Sequence, residues 1–186
     1  NNDWVIFDNF KLKYLGFPVD ETKDILKEGL DNLKPYLDQV FDKDLKAEAQ
    51  TAYNNGLAVY ESAESTGQQM FDAASAITAI VAKIPASVAK FDALKTAYNE
   101  LNTAIEDAVA SQDIIDEADE YAGKVNNIVK GTTAATDTEA DAAALKCAKY
   151  AGMLEVDDEA VPTAEKPVKY TPYLLSASFE KGGKNR

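Results

Sequence analysis

Histidine is absent from all 186 residues. That removes the usual neutral-pH general base, the Ser-His and Cys-His nucleophile pairs and the commonest transition-metal ligand. Cysteine occurs once, at Cys147, so no intramolecular disulfide can form and cysteine usage says nothing of compartment. On the small-residue face of its helix, this cysteine reads as a buried, inert thiol. Basic residues are few: 19 Lys and Arg stand against 32 Asp and Glu, a formal net charge of −13. A nucleic-acid backbone or an anionic membrane surface needs a basic footprint, so both are expected not to be partners. The longest apolar run, around residues 73–82, is interrupted by Ser75 and Thr78 and is too short to span a bilayer, so membrane insertion is not expected. No GxSxG, HExxH, phosphate-binding glycine loop or CxxC occurs. The opening at Asn1 carries no initiator Met, signal peptide or lipidation motif, and reads as a cut within a longer protein.

What is present is helical periodicity. Hydrophobic residues make up 46% of the chain and charged residues 27%, the balance of a globular protein. Leu26, Leu30, Leu33, Leu37 and Phe41 recur at spacings of three and four, behind Asp20 as N-cap, with Pro35 expected to kink or divide the helix. Asp42 or Asp44 can cap a second helix carrying Leu45, Ala49, Tyr53, Leu57 and Tyr60, which continues through Asn54-Asn55-Gly56 despite the turn signal. Capping-box spacings at Ser65/Gln68 and Thr66/Gln69 open a third, with Met70, Ala74, Ile77 and Ile84 inward. Pro85 is the expected hinge before a fourth helix bearing Val88, Phe91, Leu94, Tyr98 and Leu101. Ser111 can cap a fifth, closed by Lys130 and Gly131, and Thr136 with Glu139 opens a sixth with Ala140, Ala144, Cys147 and Ala151 inward.

The ends differ. Residues 4–14 are rich in aromatic and β-branched residues, with Phe10, Leu12 and Tyr14 alternating against Asn9, Lys11 and Lys13, which predicts a strand. Residues 170–180 predict another, after an acidic, proline-bearing linker. A lone strand is not stable in water. Each end therefore belongs to the sheet of a neighbouring domain, or the two pair beside the bundle, which requires both bundle termini at the same end. The expected organisation is a terminal or closing strand at 1–16, a helical bundle at 17–154, the linker at 155–169, and a strand with polar tail at 170–186. The fold class is mainly α: an elongated antiparallel bundle of about six helices, in one bundle or two three-helix units, with short β-strands at both termini.

Two acidic clusters, Asp113, Asp116, Glu117, Asp119, Glu120 and Glu155, Asp157, Asp158, Glu159, lack the spacing of a calcium loop and read as solvated faces. Tyrosines at 36, 53, 60, 98, 121 and 150 sit on or beside the apolar stripes, where the ring packs and the hydroxyl reaches the surface. The other reading is a glycan-stacking platform, with Tyr60 and Tyr98 as its candidate residues.

Residues 4–14 resemble the closing strand of the galactose-binding-like, carbohydrate-binding β-sandwiches common in surface and secreted proteins of Bacteroidetes. Leu174-Leu175-Ser176-Ala177-Ser178-Phe179-Glu180 resembles their opening strand, with Ser176-Ala177 in place of the usual Asn-Pro. Between them, residues 58–77 are similar to the FIVAR-like helical modules of bacterial surface proteins, which act as spacers or sugar-associated modules. The sandwich resemblance implies Asp8 and Glu180 as ligands of a structural Ca²⁺. A closing strand here precedes an opening one, so the two carboxylates would belong to successive sandwiches unless the ends pair. No other cofactor is expected. The resemblance implies an extracellular or cell-surface setting and a non-enzymatic helical spacer associated with carbohydrate binding, its partners being neighbouring domains of the same chain. The alternative is a glycan- or protein-binding helical module using surface tyrosines or a bundle groove.

Overall fold

The computed structural model describes residues 16–156, which are mainly helical, with no strand among them. The predicted terminal strands and most of the predicted linker lie outside the described residues. The helices are α1 (Val19–Leu33), α2 (Lys43–Glu61), α3 (Gly67–Val81), α4 (Ile84–Glu106), α5 (Gln112–Val129) and α6 (Asp137–Leu154).

Local chemistry sets the boundaries. Pro18, not Asp20, occupies the N-cap of α1, because the Thr22 hydroxyl donates to the Pro18 carbonyl at 2.7 Å and draws the helix start back. Asp20 lies instead in the first turn, where its charge suits the positive end of the helix dipole. Pro35 ends the α-helical run: α1 stops at Leu33 and a single 3₁₀ turn, Lys34–Tyr36, follows. Reciprocal capping boxes open α3 at Thr66 with Gln69 and α6 at Thr136 with Glu139. Gly131 closes α5 at φ 72°, a left-handed backbone that glycine adopts without strain.

Pro85 does not break the chain's course as a hinge would. Ala82 and Lys83 both keep right-handed helical angles, and Lys83 N–H shifts to the Ile80 carbonyl at 2.9 Å, a tighter step that accommodates the proline ring. Ile84, although it precedes the proline, stays helical and fully buried. Residues from Gly67 to Glu106 therefore run on as one 40-residue helical rod.

Around the first half of this rod pack α1 and α2; around the second half pack α5 and α6. Leu26, Leu30, Leu33, Ala49, Met70, Ala74 and Ile77 fill the first group, and Leu94, Leu101, Ala118, Ala122, Val125, Ala140, Cys147 and Leu154 the second. Each fully buried large side chain stabilises the fold by roughly 1.5–3 kcal/mol. Phe41, Ile84 and Phe91 continue the core across the joint between the groups.

The start of α1 lies beside the start of α3, where Phe17 stacks on Phe71 with ring centroids 4.3 Å apart. The end of α6 meets the end of α4, where Val109 N–H donates to the Leu154 carbonyl at 3.1 Å. Because the rod runs continuously between them, Gly16 and Val156 sit at opposite ends of the molecule.

Gly67 fixes how the chain enters. A β-carbon there would lie 2.1 Å from the Phe17 carbonyl oxygen, a backbone atom that cannot swing aside. We expect Gly67→Ala to cost about 1–3 kcal/mol in a urea melt despite alanine's better helix propensity, and to unstack Phe17 from Phe71. A variant as stable as the wild type would show that Phe17 is not held there.

The rod contains a stretch of mean hydropathy 1.3, long and apolar enough by composition to cross a bilayer. Its buried side chains, Met70, Ala74 and Ile77 among them, belong to the core shared with α1 and α2.

Candidate functional site

The most elaborate arrangement of polar groups lies at the joint. Asp42 is the N-cap of α2, and its Oδ1 accepts from the N–H groups of Asp44 at 2.8 Å and Leu45 at 3.0 Å. Its Oδ2 accepts from the N–H of Asp137, the first residue of α6, at 2.7 Å. One carboxylate thus caps two helix N-termini belonging to the two halves of the molecule. Ser87, buried near the start of α4, ties in the third element: its hydroxyl donates to Asp137 Oδ1 at 2.5 Å and accepts from Asp42 N–H at 2.9 Å. Lys43 N–H donates to the Ala135 carbonyl at 2.9 Å. On the solvent side, Lys43 pairs with Glu139 at 3.4 Å and Lys90 with Asp141 at 2.7 Å, exposed pairs that add little each.

Apolar contacts close the joint beneath. Phe41 and Ala135 are buried, and a β-carbon on Gly131 would lie 3.0 Å from Val40 Cγ2, so the loops at 34–42 and 130–136 meet tightly. Partial burial pushes the Asp42 carboxyl up, but the N–H groups of Leu45, Asp137 and Asp44, with nearby Lys43, outweigh this and hold it below the ordinary value. Its oxygens face three backbone N–H donors, which favour the charged carboxylate.

The residues singled out from the sequence are scattered. Tyr60 lies in the last turn of α2, with the Lys23 ammonium 5.0 Å from its ring centroid; Tyr98 lies midway along α4, in the other half of the molecule. Both are half-buried, and the fold does not bring them together. Asp8 and Glu180 lie outside the described residues. The tyrosines the fold does juxtapose are Tyr121 and Tyr150, 5.5 Å apart, with the Lys146 ammonium 4.3 Å from the Tyr121 ring and 5.6 Å from the Tyr150 ring. No periodicity argument could pair them, since they lie on different helices.

Two open grooves of about 550 Å³ each flank the rod. One, between α2 and α3, has a floor of small residues including Ala52, Gly56, Ala73 and Ala76, with Asp44 and Glu48 on its rim. The other, at the far end, lies against Thr103, Ala104, Ala151 and Leu154. Neither is lined by Tyr60 or Tyr98. Among the described residues no group of three or more cysteine or carboxylate side chains converges as a metal site. Burial pushes the Cys147 thiol up to about 11, so it is neutral and unreactive near neutral pH.

Comparison with protein-family models, with characterised proteins and with solved structures finds no match.

Proposed function

We propose that this chain is a non-enzymatic helical spacer in a modular extracellular surface protein associated with carbohydrate binding, holding neighbouring domains of the same chain apart at a fixed distance. The observation that carries this reading is the placement of Gly16 and Val156 at opposite ends of a continuous rod. At about 1.5 Å per residue, the 40-residue run from Gly67 to Glu106 spans about 60 Å. The finer architecture that goes with this is two three-helix units sharing the rod and clasped at Asp42. In such a spacer the joint is the functional site: it removes the freedom that Pro85 would otherwise introduce. Its setting is outside the bilayer.

The test is a distance. Cysteines replacing exposed Glu64 and Asp107 carry the labels, with buried Cys147 left in place. We expect a single narrow distribution centred near 60 Å by the helical rise. A broad distribution, or one centred at half that length, overturns the spacer.

The second reading, a module that binds a glycan or protein, draws on the α2–α3 groove rather than on Tyr60 and Tyr98. The groove is apolar along its floor and acidic at its rim, a shape suited to an added segment of chain.

A further inference from the structure

The two three-helix groups match in register. Laid helix start on helix start, α1 and α4 place Thr22 with Ser87, the two buried polar side chains among the described residues, and Leu26 with Phe91. In the same way α2 and α5 place Ala49 with Ala118 and Gly56 with Val125, all buried. Helices α3 and α6 place Met70 with Ala140 and Ile77 with Cys147, again all buried, and both open on a threonine capping box. The groove between α2 and α3 therefore has a counterpart between α5 and α6.

That counterpart is occupied. Where the α2–α3 groove has Ala52, Ala76 and Ile80, the same places on α5 and α6 carry Tyr121, Lys146 and Tyr150. Tyr121 reaches from α5 to α6: its hydroxyl donates to the Ala143 carbonyl at 3.4 Å, and its ring lies 5.5 Å from Tyr150 and 4.3 Å from the Lys146 ammonium. Small side chains leave the α2–α3 groove open, at about 550 Å³. Its acidic rim is nevertheless kept, Asp44 and Glu48 matching Asp113 and Glu117. Among the described residues neither Asp44 nor Glu48 is in an ion pair.

We propose that the α2–α3 groove binds a helical segment of a partner protein that presents tyrosine and lysine on one face, supplying the ring and ammonium that its own positions lack. The molecule itself shows that such side chains fit between two of its helices. Lys146 and Tyr150 stand one turn apart on α6, so a single helical face delivers both groups. A floor of alanine and glycine lets such a helix approach closely, in the manner of helix-in-groove recognition. The partner's ammonium meets the unpaired rim of Asp44 and Glu48 with complementary charge. A second copy of this chain, at a formal net charge of −13, brings charge of the wrong sign overall. The inference rests on the second reading above, the groove as a binding site, and gives that site its ligand.

The probe is a fluorescently labelled, alanine-based helical peptide with lysine and tyrosine one turn apart, titrated with the full 186-residue chain and read by anisotropy. We expect saturable binding that weakens with added salt. Ala52→Tyr combined with Ala76→Lys builds the α5–α6 filling into the open groove, and should weaken binding about tenfold or more with helical circular dichroism unchanged. Glu48 is exposed, so Glu48→Gln leaves the packing intact should the double variant perturb folding; it should weaken binding about threefold at low salt. No binding by the wild type overturns the proposal. So does binding that both variants retain, or binding matched by a peptide with leucine in place of tyrosine, which would be charge attraction alone. Maltohexaose separates this inference from the reading beneath it. If the sugar moves the Ala73 and Ala76 amide resonances and the peptide does not, the groove takes a glycan and the peptide inference falls alone; if neither moves them, both fall.

Discussion

Replacing Asp42 by alanine should lower the stability of the chain by about 2–3 kcal/mol in a urea melt, because each lost cap costs about 1 kcal/mol and Asp42 serves two helices. The remainder comes from leaving the Asp137 N–H at the joint without its charged acceptor. Asp42→Asn separates the two duties. Its side-chain oxygen can still cap α2, but its amide nitrogen would face the Asp137 N–H, donor against donor. The expected loss is about half as large, near 1 kcal/mol. An alanine variant within about 0.5 kcal/mol of the wild type would reduce the clasp to an ordinary surface contact.

The same residue predicts a pH dependence of definite sign. The folded-state value of Asp42 lies below its ordinary value of 3.8, so its contribution is fully present above pH 3.8. It disappears as the pH falls through the lowered folded value. The gap between wild type and Asp42→Ala should therefore hold steady from neutral pH down to that window and close below it. A gap independent of pH down to complete acid unfolding would mean that the carboxylate charge contributes nothing.

The helices were legible because their signals are local. Thr66 with Gln69 and Thr136 with Glu139 announce their helix starts within four residues, and the leucines of α1 declare the buried stripe by spacing alone. The joint was not legible. Asp42 could be read as a cap for α2, but its second bond goes to Asp137 N–H, 95 residues further along, and no local pattern encodes that. Ser87 reads as an incidental polar residue on an apolar helix until Asp42 and Asp137 are set on either side of it. Pro85 misled for the opposite reason. The local rule for the residue before proline was outweighed by burial of Ile84 in the core, which holds the backbone helical where the dipeptide alone would extend it. Tyr60 and Tyr98 stand out by residue type alone, and type carries no information about which half of a rod a side chain ends in.

Ile77→Ala should be among the most damaging core substitutions, costing about 4–5 kcal/mol, toward the upper end for isoleucine truncations. Ile77 is completely buried, and its methyl groups occupy the space left by two glycines on the facing helices. A β-carbon on Gly29 would lie 3.4 Å from its Cγ2, and one on Gly56 only 2.7 Å from its Cδ1. Glycines have no side chain to move into a cavity, so relaxation would be small. The fit also fixes the sign of a double-mutant cycle. Gly56→Ala alone adds a methyl against Ile77 Cδ1 and Leu30 Cδ2, and should lose about 1–3 kcal/mol through overpacking, less the roughly 1 kcal/mol alanine gains in helix propensity. Ile77→Val alone removes the δ-methyl and should cost about 0.5–1.5 kcal/mol. Combined, the new methyl fills the room the old one vacated, so the double variant should be more stable than the sum of the singles by about 1 kcal/mol. Strict additivity would mean that α2 and α3 can part by a few tenths of an ångström without loss, and that Gly56 is there for some reason other than their close approach.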